Sequence, residues 1–470
     1  MKRLLILALA ANCAICVTNN AHAAGFYFSD RGVRPMGRAG AFVAGADDLH
    51  SIWYNPAGLS EAGTGLLLDF AWLRFGIDYS RELRVLDADG TYKQFREQTV
   101  SGRSPILPLP TIAGSYQFGK EKQWTVAGGF FAPYVALASF DSTVNGQPSP
   151  ARYMVGTFDG SALGNFGTWV AYKPVKQLSV GLGVQALAGM IQTDVTFTAS
   201  PQDRLLGAPE QPEFDANARA KVGPFFAPSA NVGITIIPSV WMRIGLSAQL
   251  PTFIDTAATV QMRMPTSAIF DSAKQVGDQA HIRMQFPAIM RFGIEVRPSD
   301  DIRFELAYVR EFWSIHKTIE IENTGMRING VVGMPPEAKI PNLSMAREYE
   351  DAHSIRAGGE LRSTIGGYKI TIRAGASYEQ SAIPTPYLSL NALDFEKVML
   401  TVGGTLYVGK HWALDAVYAH MFTSSVYVPP AEAKIPRLNP LKGNAENEPV
   451  NGGQYDSTAD LLGVGVRYSF

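Results

Sequence analysis

Cysteine is nearly absent from this chain of 470 residues, and the two that occur, Cys13 and Cys16, lie close to the start. Neither follows a lipobox-like triplet. If the first 23 residues are removed, the remainder has no thiol, which excludes disulfides, a cysteine nucleophile and a thiolate metal site. Long apolar runs are also missing. After Val17 nothing approaches the ~20 consecutive apolar residues of a spanning helix, although 46% of the chain is hydrophobic. An excess of charge is lacking too. Without Lys2 and Arg3 the basic count falls from 41 to 39 against 42 acidic residues, a net of −3, so nucleic acid is not an expected partner. His50, His281, His316, His353, His411 and His420 show no metal-ligand spacing and no nucleophile motif, so no cofactor, metal site or enzyme is expected.

What the sequence does contain begins with a leader. Lys2-Arg3, an apolar stretch from Leu4 to Val17 and the small residues of Ala21-His22-Ala23 have the layout of a secretory signal. We expect cleavage after Ala23, a hatch or plug over 24–64 and a barrel over 65–470. The other end reads as a strand. Leu462, Val464, Val466, Tyr468 and Phe470 alternate with Gly463, Gly465, Arg467 and Ser469. A period of two sends these sets to opposite faces. An apolar, aromatic-tipped face opposite a small, polar one suits a strand between lipid and a lumen.

Thirteen more such stretches precede it. The fourteen are expected near 65–82, 109–119, 122–140, 160–173, 177–197, 220–238, 240–263, 281–297, 301–321, 353–365, 368–382, 395–408, 411–427 and 458–470. Tight connections such as Pro174–Lys176, Pro298–Asp300 and Gly366-Gly367 alternate with long ones at 83–108, 141–159, 198–219, 264–280, 322–352, 383–394 and 428–457. This rhythm predicts an all-β, antiparallel, transmembrane barrel with periplasmic turns and long extracellular loops. Charge gathers on one face of the strands, at Arg291, Glu295, Arg303, Glu305, Arg356, Glu360, Arg373 and Asp415. That face is assigned to the lumen, because an arginine facing mid-membrane lipid costs about 2–4 kcal/mol.

Residues 25–64 lack strand alternation but hold Phe42, Ile52, Trp53, Tyr54 and Leu59, which favour burial. They run Gly37-Arg38-Ala39-Gly40-Ala41, then Ala46-Asp47-Asp48, then Ile52-Trp53-Tyr54-Asn55-Pro56-Ala57-Gly58-Leu59. Asn55-Pro56 reads as a rigid corner, since proline fixes φ and asparagine can bond its own backbone. With the Gly-Phe start at Gly25-Phe26, the prolines Pro105, Pro108 and Pro110 and the terminal Phe470, this order resembles the FadL/TodX family of outer-membrane transporters for long-chain fatty acids and other hydrophobic compounds.

The resemblance implies a Gram-negative outer-membrane location and no catalysis. It implies a binding pocket reached by Phe26, where Tyr27, also expected to contact ligand, departs from the family's usual polar follow-on, and a hatch motif at Asn55, Pro56 and Ala57 near the transport route. It also implies an inward kink in the third strand. Gly128, Gly129 and Pro133 match that position, where proline would delete a ladder bond and glycine permit a bend. Ligand would be captured at extracellular loops, passed into the lumen and released sideways into the bilayer. Ile269, Phe270, Ala273 and Val276 share a face at helical spacing and are the expected capture surface. Long-chain fatty acids are the expected ligand, with monoaromatic hydrocarbons as the alternative. Expected partners are outer-membrane lipid, lipopolysaccharide and the barrel assembly machinery, with a monomer as the functional unit. Pro335–Pro341 and Pro429–Pro436 resemble each other and are expected to fold over the mouth together.

Overall fold

The computed structural model describes residues 30–470 apart from 87–88, 105–107, 133–137, 158–160, 201–209 and 442–444. The expected leader, Phe26 and Tyr27, and Pro133 of the third strand therefore lie outside the described residues.

Fourteen antiparallel staves close into a barrel. They are β1 (Gly65–Leu86), β2 (Pro108–Phe118), β3 (Trp124–Phe131), β4 (Ala162–Val175), β5 (Leu178–Thr198), β6 (Asp215–Ser239) and β7 (Met242–Gln249, resumed as Thr252–Arg263). They continue as β8 (Gln279–Phe286, resumed as Ile289–Ser299), β9 (Ile302–Glu311, resumed as Thr318–Asn323) and β10 (Ala352–Ile365). The last are β11 (Tyr368–Glu379), β12 (Lys397–Val408), β13 (Trp412–Thr423) and β14 (Gly453–Ser469). Closure is made by β14 on β1, in register from Gly65 opposite Ser469 to Arg81 opposite Gly453. Every backbone polar group along the wall can then pair within it, the condition for crossing hydrocarbon.

The two faces separate as the alternation demands. On β9, Phe304, Leu306 and Tyr308 point outward, while Arg303 and Glu305 are buried. On β14, Leu462 and Val464 are exposed and Leu461 is buried. Aromatic side chains collect near the short turns. Trp124 stacks on Tyr172 at 4.2 Å between centroids, and Trp412 meets Tyr468 at 4.7 Å, an interfacial girdle.

β3 is described on the N-terminal side of Pro133 only, from Trp124 to Phe131. Gly128 lies opposite Gly114 and Thr168, and Gly129 opposite Ala113 and Gly167, with no shift of register on either side. The two glycines therefore do not interrupt the ladder. Among the described residues its pairing runs from Trp124 to Phe131, and Ser139 then bridges Arg103. Gly129 instead serves packing. A side chain there would sit 2.9 Å from Ile52 of the N-terminal segment.

The capture helix also needs correction. Ala268–Phe270 forms a single 3-10 turn, and Lys274–Val276 is a strand paired with Arg327–Asn329. The strand pairing outcompetes the helical period, and Gly277 at φ 75° ends it. The two similar proline-bounded segments differ in structure. Glu337–Lys339 is the third strand of that loop sheet, whereas Pro429 to Ala433 forms a turn.

Two apolar clusters fill the interior and the loops. The larger extends from Trp53 and Phe131 through Phe286, Ile289 and Trp313 to Leu390 and Phe395. The smaller joins Phe270, Met326, Ile328 and Val331 to the upper ends of β5 to β8.

Candidate functional site

Residues 30–61 lie against the inward faces of the staves. Their local structure is short: a helical turn at Val33–Met36, another at Ser51–Tyr54 and a 3-10 helix at Pro56–Glu61. Such turns have little stability of their own. The wall holds them. Three pairs of inward glycines face each other across neighbouring staves: Gly181 with Gly233, Gly245 with Gly293, and Gly358 with Gly375. An added Cβ would come within 2.3 Å of Pro56 at Gly181, 2.5 Å of Val43 at Gly245 and 2.4 Å of Arg38 at Gly358. Each pair removes side chains where the segment's backbone needs to sit.

Asn55 is fully buried at one of these seats. Its Nδ2 donates to the Val43 carbonyl at 2.8 Å and to Thr235 Oγ1 at 3.1 Å, and its Oδ1 accepts from the Ala57 amide at 3.2 Å. The Asn55-Pro56-Ala57 corner thus ties the segment to itself and to β6. Pro56 and Ala57 are buried beside it.

The eight wall charges chosen from sequence are all buried. Seven of them meet in a network with the segment. Arg38 Nη2 donates to Glu295 at 3.0 Å and to Glu305 at 2.9 Å. Glu305 also accepts from the amides of Val43, Ala44 and Gly45 at 2.6, 2.8 and 2.9 Å. Arg34 bonds Asp47 at 2.6 Å, Asp48 at 2.7 Å and Glu360 at 3.4 Å. Arg303 bridges Asp47, at 2.7 Å, and Glu360. Arg373 reaches Glu360 at 3.0 Å, and Asp415 is held by Arg467 at 2.7 Å. Arg356 pairs with Asp30 and, at 3.2 Å, Glu379. The eighth, Arg291, approaches the Trp53 ring at 4.9 Å.

His50 has Asp48 two residues before it in the sequence, but its second partner is not visible there. In the fold it lies between Asp48 at 2.9 Å and Asp69 of β1 at 2.6 Å. Asp69 also accepts the Val33 amide at 2.6 Å. Burial alone would push the imidazole down, but the two carboxylates outweigh it and hold its pKa at about 9. His50 is therefore a cation at neutral pH. Burial likewise works against ionised Asp47, yet Arg303 and Arg34 keep its pKa well below the usual range.

Above this network the site is apolar. Trp53 meets Phe131 of β3 at 5.3 Å, edge to face, inside the larger cluster. Phe270 is buried in the separate loop cluster with half-buried Ile269 packed on it, so these two expected ligand contacts are apart from Trp53 and Phe131. Gly128 faces outward, where it helps floor a lipid-side groove of about 690 Å³ bordered by Leu66, Tyr116, Val126 and Leu182. No group of histidine and carboxylate side chains able to hold a metal occurs among the described residues.

Comparison with known proteins gives the same architecture. A crystal structure of a Pseudomonas aeruginosa FadL homologue superposes with a TM-score of 0.73 at 15% identity, over 95% of this chain and all of the other. The Ralstonia pickettii toluene transporter TbuX superposes at 0.59 with 16% identity, covering 94% and 99%. A protein of Neisseria meningitidis serogroup B assigned to the outer membrane is 19% identical over 96% of this chain and 95% of its own length. The model of the outer membrane protein transport family OMPP1/FadL/TodX matches residues 14–470, and this chain belongs to that family, a β-barrel of the outer membrane.

Proposed function

We propose that this protein takes up long-chain fatty acids from outside the cell and releases them sideways into the outer membrane. The observation that carries this reading is the contrast within the lumen. A buried ionic network with a tightly seated segment blocks the straight route, whereas an apolar cluster begins directly above it at Trp53 and Phe131. An alkyl chain gains by entering such a cluster, at about 0.8 kcal/mol per buried CH₂, and loses by crossing the charges below.

In this reading Met1–Ala23 is the removed leader, 24–64 is the hatch and 65–470 the transporting barrel. Ile269 and Phe270 belong to the loop that captures ligand. Phe26 and Tyr27 line the pocket, and Asn55, Pro56 and Ala57 transmit hatch movement. The exit lies at the third strand, around Gly128, Gly129 and Pro133. The protein works as a monomer inserted by the barrel assembly machinery, in contact with lipid and lipopolysaccharide, and performs no catalysis.

The test is uptake of labelled oleate by cells lacking their own transporter. Uptake should appear with the native chain and be lost when Gly128, Gly129 and Pro133 are replaced by strand-forming residues in a barrel that still folds. A second reading, monoaromatic hydrocarbon uptake, draws on the likeness to the toluene transporter TbuX. Uptake of toluene without oleate would select it.

A further inference from the structure

A second groove lies on the outside of the wall, away from the lumen. It measures about 660 Å³ and runs over the upper ends of β5, β6 and β7. Its floor is polar: Asp194 and Thr196 of β5, Asn217 and Arg219 of β6, Gln261 and Arg263 of β7. These side chains point outward because the alternate positions, among them Ala218 and Val260, are buried in the loop cluster. Register sets their neighbours. Arg219 lies opposite Asp194 on one side and Gln261 on the other, and Asn217 lies opposite Arg263.

The far side of the groove is the segment from Phe140 to Val155, and it is held in place. Thr143 pairs with Pro148 in a hairpin that turns at Asn145 and Gly146, with φ 52° and 76°. Positive φ at both central residues is what such a two-residue turn requires. Arg152 ties the segment to β6: Nε donates to Asp215 at 2.8 Å, Nη2 to Glu210 at 2.6 Å and Nη1 to the Ser149 carbonyl at 3.2 Å. The Phe140 ring rests on Gly102, where a Cβ would stand 2.4 Å from it. The groove is therefore preformed. Its cations are used unequally. Arg219 donates Nε and Nη2 to Asp194, at 2.7 and 2.8 Å, which leaves Nη1. Among the described residues the side chains of Arg263, and of Lys221 one outward position below Arg219, have no ion pair or hydrogen bond.

Height decides what this groove meets. On β7 the last exposed large apolar side chain is Phe253, and the outward positions beyond it begin with Asp255. Gln261 is eight residues past Phe253. At about 3.4 Å per residue on a strand tilted by about 40°, the groove lies about 20 Å above the edge of the apolar belt. It is on the side of the long loops, outside the cell. In an outer membrane that layer holds the sugars of lipopolysaccharide and not its acyl chains. Contact with lipopolysaccharide is general for such a barrel, but a built groove at the height of its sugars is not. Sugar hydroxyls both donate and accept, as Asn217 and Gln261 do. The Phe140 ring offers a flat apolar face to a sugar ring. An acidic group on the sugar would meet Arg263, Lys221 and the remaining Nη1 of Arg219, in charge-assisted hydrogen bonds. We propose that this groove binds the acidic core oligosaccharide of lipopolysaccharide, with Arg263 holding a phosphate or carboxylate of the sugar. The inference is independent of what the barrel transports.

The test is calorimetric titration of the purified full-length barrel in detergent. The probes are rough lipopolysaccharide with a complete core and the form truncated to lipid A and its first acidic sugars. The native barrel should bind the complete core more tightly by roughly tenfold to a hundredfold, the value of charge-assisted hydrogen bonds. Arg263→Glu should abolish that preference and keep the heat-modifiable gel mobility of a folded barrel, because no protein partner is lost. Arg74→Glu, the same change at an exposed site on β1, should leave the preference intact. Delipidated core oligosaccharide should compete, and neutral maltohexaose should not. Equal affinity of the native barrel for the two lipopolysaccharides would overturn the proposal. So would equal losses in the two variants, which mark diffuse attraction of charge, and so would a preference that survives Arg263→Glu. Competition by maltohexaose as strong as that by the core would overturn the acidic-sugar assignment. Failure of oleate uptake would leave this proposal standing, and its own failure would leave the uptake reading untouched.

Discussion

Gly358 of β10 and Gly375 of β11 face each other across the wall, and the backbone at Arg38 occupies the space their missing side chains leave. A Cβ on Gly375 would stand 2.3 Å from the Arg38 carbonyl carbon. Gly358→Val should therefore unseat the N-terminal segment while the strand itself tolerates valine. Overpacking of this kind costs about 1–3 kcal/mol. Ion conductance in a planar bilayer should rise relative to the native barrel. Unchanged conductance with a folded variant would show that the segment adapts without leaving.

Arg38 should be among the least replaceable residues of the lumen. It is fully buried between Glu295 and Glu305. Removing one member of a buried ionic cluster strands the others, at about 3–5 kcal/mol. Arg38→Met should lower the temperature at which the folded gel band disappears. Adding Glu305→Gln should recover part of the loss, since the stranded charge is then gone. A double variant worse than the single would refute this account of the network.

Asn55→Ala removes the links from the corner to Val43 and Thr235. The Val43 carbonyl stays buried, so the cost should be about 1–3 kcal/mol. Trypsin cleavage at Arg31 or Arg38 should become measurable in intact barrels. Resistance equal to the native protein would mean that the corner is held by packing alone.

The His50 clamp gives a pH dependence of definite sign. Its pKa rises from an ordinary value near 6.5 to about 9 in the fold. The group binds its proton more tightly when folded, so its contribution is complete below 6.5. It declines as pH rises and is gone above about 9. Protease accessibility of the N-terminal segment should increase between pH 7 and 10. His50→Gln should show at pH 7 the accessibility that the native protein reaches at pH 10. A native profile flat over that range would remove His50 from the anchoring of the segment.

Much of the architecture is legible in one dimension because the period of a strand is local. Phe304, Leu306 and Tyr308 declare a lipid face against Arg303 and Glu305 within six residues, and each stave can be read alone. The long and short connections then order the staves. Local patterns mislead where pairing partners are distant. The helical spacing at Ile269, Phe270, Ala273 and Val276 is overridden by strand pairing to Arg327–Asn329. The double glycine in β3 suggests a break, yet it lies in an intact ladder and makes room for Ile52.

The sequence by itself determined the solvent of this protein, its alternating wall, the inward side of its charges and the burial of residues 30–61. Tertiary structure alone decided which charges meet, because Arg38 and Glu305 are joined only by closure of the barrel around the segment. It also decided the meaning of the glycines, since an inward glycine makes a seat only where the fold brings the N-terminal segment against it.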